Sequence, residues 1–213
     1  METKNQVILL HGLSRTSRSM RPMKKALQKM GYPVLSLDYP SRMASIEELA
    51  KYVLGELRKH FTAADIVRLN FVTHSMGGII LRQIMNADPL PNLGRVVMLS
   101  PPNQGSELVD KLSRFGILRI NGPACMQLSA SPDSFVRNLG EVTFELGVIT
   151  GNKPLNFILS LLLPGPDDGK VTVESAKVEG MRDFLVIPCT HSFIMRNSGV
   201  QEAVNKFFIN GSF

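Results

Sequence analysis

The sequence predicts an α/β fold in which a mostly parallel sheet of six strands is covered by helices on both faces. Short apolar runs with the length of buried strands alternate along the chain with segments whose apolar residues recur at helical spacing. Alternating strands and helices form βαβ units, and such units build a parallel sheet with both faces covered.

Six apolar runs of strand length predict the sheet. Each ends where polar, glycine or proline residues begin, as expected where a buried strand passes into a loop. The predicted strands are residues 6–10, 34–37, 69–72, 95–99, 144–149 and 184–188.

Helical patterns separate most of these strands. Residues 20–30 carry a methionine-rich apolar face that we interpret as core. Ser45 and Glu48 predict a capping box for a helix that ends near His60, where basic side chains suit a helix C-terminus. Further helices are expected from the end of the third strand to about residue 88 and over 200–208. Residues 103–140 lack clear periodicity and could hold a short lid-like insertion.

The composition fits one globular domain over residues 1–213. Hydrophobic residues make up 44% of the chain and charged residues 20%, and a chain of this length buries roughly 70% of the surface that its unfolded form exposes. The formal net charge is +6, but the basic residues are scattered and no aromatic-basic RNA-binding motif accompanies them. We therefore expect a solvated basic surface and no nucleic-acid partner.

The most informative stretch is the predicted corner between the third strand and the helix that follows. An apolar run is followed there by Thr-His-Ser-Met-Gly-Gly and then by an apolar helical pattern. A serine at such a corner is held in a strained conformation, with its hydroxyl exposed beside the first free N–H groups of the helix. Gly77, which has no Cβ, allows the helix to approach the strand closely. This arrangement is the nucleophile elbow, written Gly-x-Ser-x-Gly, with Ser75 as the nucleophile.

The residues of this corner resemble the elbow of the α/β-hydrolase family of lipases and esterases, Thr73-His74-Ser75-Met76-Gly77-Gly78. There is one departure, because Thr73 stands where the family has its first glycine, so the turn must tolerate a β-branched side chain. The resemblance implies the α/β-hydrolase fold and a catalytic triad in the chain order Ser, Asp or Glu, His.

A serine hydroxyl needs a base to take its proton, and the sequence offers four histidines. His11 and His74 lie in motifs where we expect the backbone to matter more than the ring, and His60 ends a helix. His191 follows the predicted last strand, where the resembled fold supplies its base. We therefore predict His191 as the base, with a half-buried structural role as the alternative.

The acid is expected between the serine and the histidine. An Asp-Gly turn after the predicted fifth strand presents a carboxylate toward the exit of the last strand. The resemblance singles out Asp168, because the family's acid commonly precedes Gly-x-Val. The alternatives are Asp167, Asp183 and Asp133.

The resemblance also implies two backbone N–H donors for the oxyanion of a tetrahedral intermediate. One belongs to Met76, after the nucleophile, and the other to Leu13, in the loop after the first strand. Gly12 either allows this loop to turn its amide inward or serves a tight turn alone. Such a donor is typically worth roughly 10²–10³ in rate.

The predicted function is cleavage of carboxylic esters through an acyl-enzyme on Ser75, with a small-molecule acyl ester as the partner. The apolar run at residues 155–163 could line the acyl groove, meet a lipid surface or form a buried helix. A thioesterase, an amidase or an acyltransferase would use the same residues, and a non-catalytic binding module of the same fold is the remaining alternative. Candidate substrate-binding residues are Gly12, Ile117, Leu118, Phe157 and Leu162.

Two cysteines, Cys125 and Cys189, are too few and too far apart to predict a disulfide framework, and we expect buried thiols. Cys189 lies two residues before His191, so a cysteine nucleophile is a minor alternative to the serine. We expect no cofactor and no metal. No apolar run is long enough for a transmembrane helix and no signal-peptide pattern precedes the first strand, so we expect a cytoplasmic protein unless a leader was removed.

Overall fold

A computed structural model of the protein describes residues 4–61, 67–113, 121–155 and 160–213. These residues form one six-stranded sheet in the order β2-β1-β3-β4-β5-β6, and every neighbouring pair of strands is parallel. All six predicted strands are confirmed. Their bounds are Lys4–Leu10 (β1), Val34–Leu37 (β2), Val67–His74 (β3), Leu93–Leu99 (β4), Leu146–Gly151 (β5) and Asp183–Ile187 (β6).

Helices follow the strands as the sequence predicts. In the described part of the connection between β4 and β5 there are three short helices, in the region where the sequence allows a lid-like insertion. The helices are Arg21–Lys29 (α1), Ile46–His60 (α2), Met76–Ala87 (α3), Glu107–Ser113 (α4), Pro123–Gln127 (α5), Phe135–Asn138 (α6) and Ser198–Asn210 (α7).

The first predicted helix differs from the observed one. A 3-10 turn over Ser17–Met20 precedes α1, so α1 begins one residue later than predicted and carries its proline in the first turn. Proline suits that place because its missing N–H would have no intrahelical acceptor there. Met20, Met23 and Leu27 are buried as expected, whereas Met30 is 39% exposed because it lies at the C-terminal end of the helix.

The start of α2 is confirmed in detail. The Ser45 hydroxyl accepts a hydrogen bond from the Glu48 N–H at 3.3 Å, and the Glu48 carboxylate accepts one from the Ser45 N–H at 2.8 Å. These two bonds are the capping box that the sequence predicts. His60 is the last residue of α2, in a basic final turn.

The core has one layer on each face of the sheet. Alternate residues of β1 point to opposite faces, so Ile8 and Leu10 join the layer that contains α2 and α3, and Val7 and Leu9 join the layer that contains α1 and α7. Because both faces are covered, the parallel strands expose few side chains to solvent. The carboxyl ends of all six strands lie at one edge of the sheet, and ligand sites of open α/β sheets lie outside this edge.

Candidate active site

Ser75 occupies a strained strand-to-helix corner, as the sequence predicts. It lies between β3 and α3 with φ 53° and ψ −126°, a left-handed conformation that is uncommon for a residue with a side chain. Its N–H donates to the Leu99 carbonyl at the end of β4, at 2.9 Å, which holds the corner against the sheet. Strain of this kind at a cleft is typical of functional sites.

Two glycines explain how the helix fits so closely. A Cβ on Gly77 would lie 2.8 Å from the His11 carbonyl oxygen and 2.9 Å from the Leu10 carbonyl oxygen, so only glycine lets α3 pass over the end of β1. A Cβ on Gly78 would lie 3.2 Å from the Thr73 Oγ1 atom. Gly78 therefore provides the space that the Thr73 side chain needs, and Thr73 itself lies within β3, where a β-branched residue is favourable.

Asp168 and His191 are brought together in the folded chain. The Asp168 Oδ2 atom lies 2.8 Å from the His191 Nδ1 atom, and both side chains are buried. Asp168 Oδ1 also accepts hydrogen bonds from the N–H groups of Lys170 and Val171, at 3.0 and 2.9 Å. Burial opposes ionisation of this carboxyl group, but the charge and hydrogen bond of His191 outweigh it, so the pKa of Asp168 lies below its usual value.

The alternative acids have other contacts. Asp167 accepts hydrogen bonds from the Ser160 hydroxyl and from the Gly169 N–H, within its own turn. Asp183 is the first residue of β6, whereas His191 follows the carboxyl end of the same strand. The Asp183 carboxylate accepts hydrogen bonds from the Phe184 and Phe213 N–H groups. Among the described residues, Asp168 is the carboxylate that contacts a ring nitrogen of His191.

Ser75 and His191 line the same cavity, whose volume is about 290 Å³. Within the described parts of the chain, no residue forms a hydrogen bond with the Ser75 hydroxyl.

The loop after β1 lies directly beside the elbow. Gly12 is so close to the elbow that a Cβ would lie 3.1 Å from the Ser75 Cβ atom, and Gly12 and Leu13 both line the cavity. No acceptor for the Leu13 N–H is found among the described residues. Met76 is the first residue of α3, and the N–H of such a residue has no intrahelical acceptor.

Tyr39 supports this loop, a role that the sequence did not reveal. Its hydroxyl donates a hydrogen bond to the His11 carbonyl, and its ring stacks on the His11 ring with centroids 4.0 Å apart. Burial raises the pKa of Tyr39 and lowers the pKa of His11, so both rings stay neutral. The prediction that the His11 backbone matters more than its ring is incomplete, because the ring packs against the residue that holds the backbone.

His74 also contributes its ring, contrary to expectation. Its Nε2 atom lies 3.0 Å from the His191 carbonyl oxygen, which can only accept, so this nitrogen carries the proton. Burial and the nearby His191 hold the pKa of His74 well below its usual value. A neutral His74 therefore ties the nucleophile corner to the main chain of the predicted base. A histidine beside the motif serine is the one signal in the sequence that could have suggested this.

Most of the cavity lining is apolar, and part of it comes from the segment between β4 and β5. Of the predicted substrate-binding residues, Gly12 lines the cavity, whereas Leu162 does not, and the Leu162 carbonyl instead accepts a hydrogen bond from Lys111. Ile117, Leu118 and Phe157 lie outside the described residues. The apolar wall consists of Leu108, Val109, Leu112, Leu128 and Val171.

Both cysteines are free and buried, as predicted. Burial raises the pKa of Cys189 to about 11 and also raises the pKa of Cys125. A thiol that stays protonated is a poor nucleophile, so the cysteine alternative to Ser75 has no support here.

No group of three or more His, Cys, Asp or Glu residues in the described ranges could hold a metal ion. None of the helices within them is both long enough and apolar enough to cross a membrane.

Known structures resemble the whole chain, although their sequences are distant. No protein-family model and no curated protein sequence matches the chain. The mature form of a lipase from Bacillus licheniformis superposes with a TM-score of 0.74 at 18% identity, covering 100% of this chain and 94% of the lipase. A metagenomic carboxyl esterase has a TM-score of 0.73 at 18% identity and covers 91% of this chain and 66% of the esterase.

A further match extends the range of activities found on this scaffold. The type II thioesterase BorB of the borrelidin biosynthetic cluster has a TM-score of 0.61 at 16% identity, covering 98% of this chain and 93% of the thioesterase. At such identities the likeness concerns the fold, which hosts different reactions. The chain has the α/β-hydrolase fold, because it has a sheet of six parallel strands covered by helices on both faces and resembles these neighbours in structure.

Proposed function

We propose that the protein is a serine hydrolase that cleaves carboxylic esters through an acyl-enzyme on Ser75. The observation that carries this proposal is the 2.8 Å contact between Asp168 and His191, because His191 and Ser75 line the same cavity. Nucleophile, acid and base then follow the chain order of this fold. The lipase and esterase among the structural neighbours support the same reaction class.

The first step forms a tetrahedral intermediate on Ser75. An ionised Asp168 can only accept hydrogen bonds, so it fixes the proton of His191 on Nδ1 and leaves Nε2 free to accept the Ser75 proton. The Ser75 oxygen attacks the ester carbonyl carbon, and the carbonyl oxygen becomes an oxyanion. The N–H groups of Leu13 and Met76 stabilise this charge.

The remaining steps form the acyl-enzyme and then regenerate the free enzyme. When the tetrahedral intermediate collapses, the bond to the alcohol oxygen breaks and His191 gives its Nε2 proton to the leaving alcohol. Water then attacks the acyl-enzyme with His191 again as the base, which releases the carboxylic acid and restores the Ser75 hydroxyl. Asp168 stabilises the charged imidazolium in both steps.

Labelling with a fluorophosphonate probe tests the nucleophile directly. We expect the purified protein to be labelled with loss of esterase activity, and Ser75→Ala to be neither labelled nor active. Ser131→Ala, which changes an exposed serine outside the cavity, is the matched control. Equal labelling of Ser75→Ala and the parent protein would refute the proposal, as would a wild-type protein that reacts with no probe.

Substrate class is tested with an oxygen ester, a thioester and an amide that share one acyl group. We expect the ester to have the highest kcat/KM. Because a cavity of about 290 Å³ is near the small end of ligand pockets, we also expect short and medium acyl chains to react faster than long ones. A preference for the thioester or the amide would assign the same residues to one of those reactions instead.

A further inference from the structure

Two cationic side chains line the cavity beside Ser75. Arg15 lies in the loop after β1, two residues beyond Leu13, and Lys170 lies two residues beyond Asp168. Both residues are exposed to solvent. The two cations therefore reach one cavity from two different loops, the loop of the proposed oxyanion donor and the loop of the acid.

Neither cation is paired with a carboxylate within the described parts of the chain, where no salt bridge involves Arg15 or Lys170. Asp168 is near Lys170, but its Oδ2 atom is engaged by His191. Two like charges that share a cavity repel each other, and an anion between them would relieve this repulsion.

The direction of the pKa shift of Lys170 also indicates that the two cations lie close together. Surrounding protein and then the charge of Arg15 lower the pKa of the Lys170 ammonium group, with Asp168 acting in the opposite direction. The two cations are thus close enough to affect each other. An anion bound at the same place would favour the charged form of Lys170.

Arg15 also has a defined position relative to the proposed chemistry. Its Nη2 atom donates to the Ser192 hydroxyl at 3.3 Å, and Ser192 is the residue after His191. His191 is the group that would hand a proton to the leaving alcohol, so this contact holds Arg15 beside the loop of the proposed proton donor. The Asn121 carboxamide, whose Oδ1 atom accepts from the Ser14 hydroxyl at 3.0 Å, adds polar groups to the same rim.

From this placement we propose that Arg15 and Lys170 form a subsite for an anionic oxygen group, a carboxylate or a phosphate, carried by the alcohol part of the ester. This proposal rests on the proposed hydrolase function and narrows its substrate class. The apolar wall would receive the acyl chain and the cationic rim would receive the charged leaving group. Arg forms paired hydrogen bonds with such anions, and Lys contributes a point charge.

The test uses three aryl esters with one acyl group. Their leaving groups are 3-hydroxybenzamide, which is neutral, 3-hydroxybenzoate, and a 3-hydroxybenzyl phosphonate. For each enzyme, kcat/KM of each anionic ester is divided by that of the neutral ester. Arg15→Gln and Lys170→Met remove one charge each at similar size, and Lys25→Met removes an exposed charge from α1, away from the cavity.

We expect the wild-type ratio to exceed that of Arg15→Gln and of Lys170→Met by about tenfold, the size of one charge-assisted contact. Lys25→Met should keep the wild-type ratio. The ratio should also fall in the wild-type protein as ionic strength rises, because salt screens exposed charges. A larger ratio for the benzoate ester would indicate a carboxylate site, and a larger ratio for the phosphonate ester would indicate a phosphate site.

A ratio that is unchanged in both cavity variants and insensitive to salt would overturn the subsite while leaving the hydrolase intact. An equal fall in Lys25→Met would also overturn it, because the effect would then come from net charge. A different result would refute the proposed hydrolase function itself: Ser75→Ala would then cleave the neutral ester as fast as the parent protein.

Discussion

Asp168→Asn is the sharpest perturbation of the proposed site, because it changes one atom of the acid and leaves the size of the side chain unchanged. The Asn carbonyl can still accept from the Lys170 and Val171 N–H groups, as the Asp168 Oδ1 atom does at 3.0 and 2.9 Å. Its NH2 group would then face the His191 Nδ1 atom, where Oδ2 stands at 2.8 Å.

A donor at this position reverses the tautomer of the base. His191 Nδ1 would have to accept, so the ring proton would move to Nε2 and the imidazole could no longer take the Ser75 proton. Loss of the acid's control over the base lowers kcat by roughly 10⁴ in a comparable triad. We therefore expect kcat/KM of Asp168→Asn to fall about 10³–10⁴-fold, which corresponds to about 4–5.5 kcal/mol of transition-state stabilisation.

The assay is steady-state hydrolysis of a short nitrophenyl ester. Asp167→Asn is the matched control, because it makes the same change in the neighbouring residue, whose carboxylate contacts Ser160 and Gly169 rather than the histidine. Its activity should stay within about fivefold of wild type, in line with a contact outside the triad. If Asp168→Asn lost less than about tenfold, or if both variants lost the same factor, the assignment of the acid would be wrong.

Three further predictions concern stability and the oxyanion loop. Gly77→Ala should lower the free energy of unfolding by about 1–3 kcal/mol in urea denaturation, because its Cβ would lie 2.8 Å from the His11 carbonyl oxygen. Gly55→Ala in α2, with nothing within 4 Å, should instead raise it by about 0.5–1 kcal/mol, and a loss there would contradict the reasoning. Tyr39→Phe should lower kcat about tenfold with little change in KM, since it removes the hydrogen bond that holds the loop of the Leu13 N–H; a change in KM alone would speak against this role. The pKa of Asp168 is lower in the folded protein than its unfolded value of about 3.9, so its ionised form stabilises the fold above that pH and the contribution is lost as the pH falls through the folded pKa. The stability difference between wild type and Asp168→Asn, followed by urea denaturation, should therefore shrink below about pH 4, and a constant difference would refute this.

The sheet could be predicted because its strands are buried on both faces. Such strands read as short continuous apolar runs, and β1 and β4 are found where those runs lie. The bounds were less accurate. The fifth strand lies two residues later than predicted because it continues through Gly151, where a Cβ would come within 2.2 Å of the Cys189 carbonyl oxygen. Gly151 is required by close packing between the end of β5 and the loop after β6.

The parts of the candidate site that lie within a local sequence motif could be predicted. The residues that support the site through tertiary contacts could not. The elbow and the Asp-Gly turn are short patterns whose geometry is set within a few residues. Tyr39 and His74 escaped prediction because each acts through a residue distant in sequence. Tyr39 contacts His11, which lies 28 positions away, and His74 contacts His191, which lies 117 positions away.

These tertiary contacts bear on how the site could work. The His74 ring bonds to the His191 carbonyl at 3.0 Å, and the His191 N–H donates to the Asp168 carbonyl at 2.9 Å, so these two bonds join the three segments that carry Ser75, Asp168 and His191. Both bonds end on the backbone of His191 and leave its Nε2 atom uncommitted. In the proposed reaction the base must receive a proton from Ser75 and deliver it to the leaving alcohol, so its main chain has to be fixed while that nitrogen stays available. We therefore expect Asp168→Asn to remove activity without separating these segments. The two bonds that join them do not involve the Asp168 carboxylate.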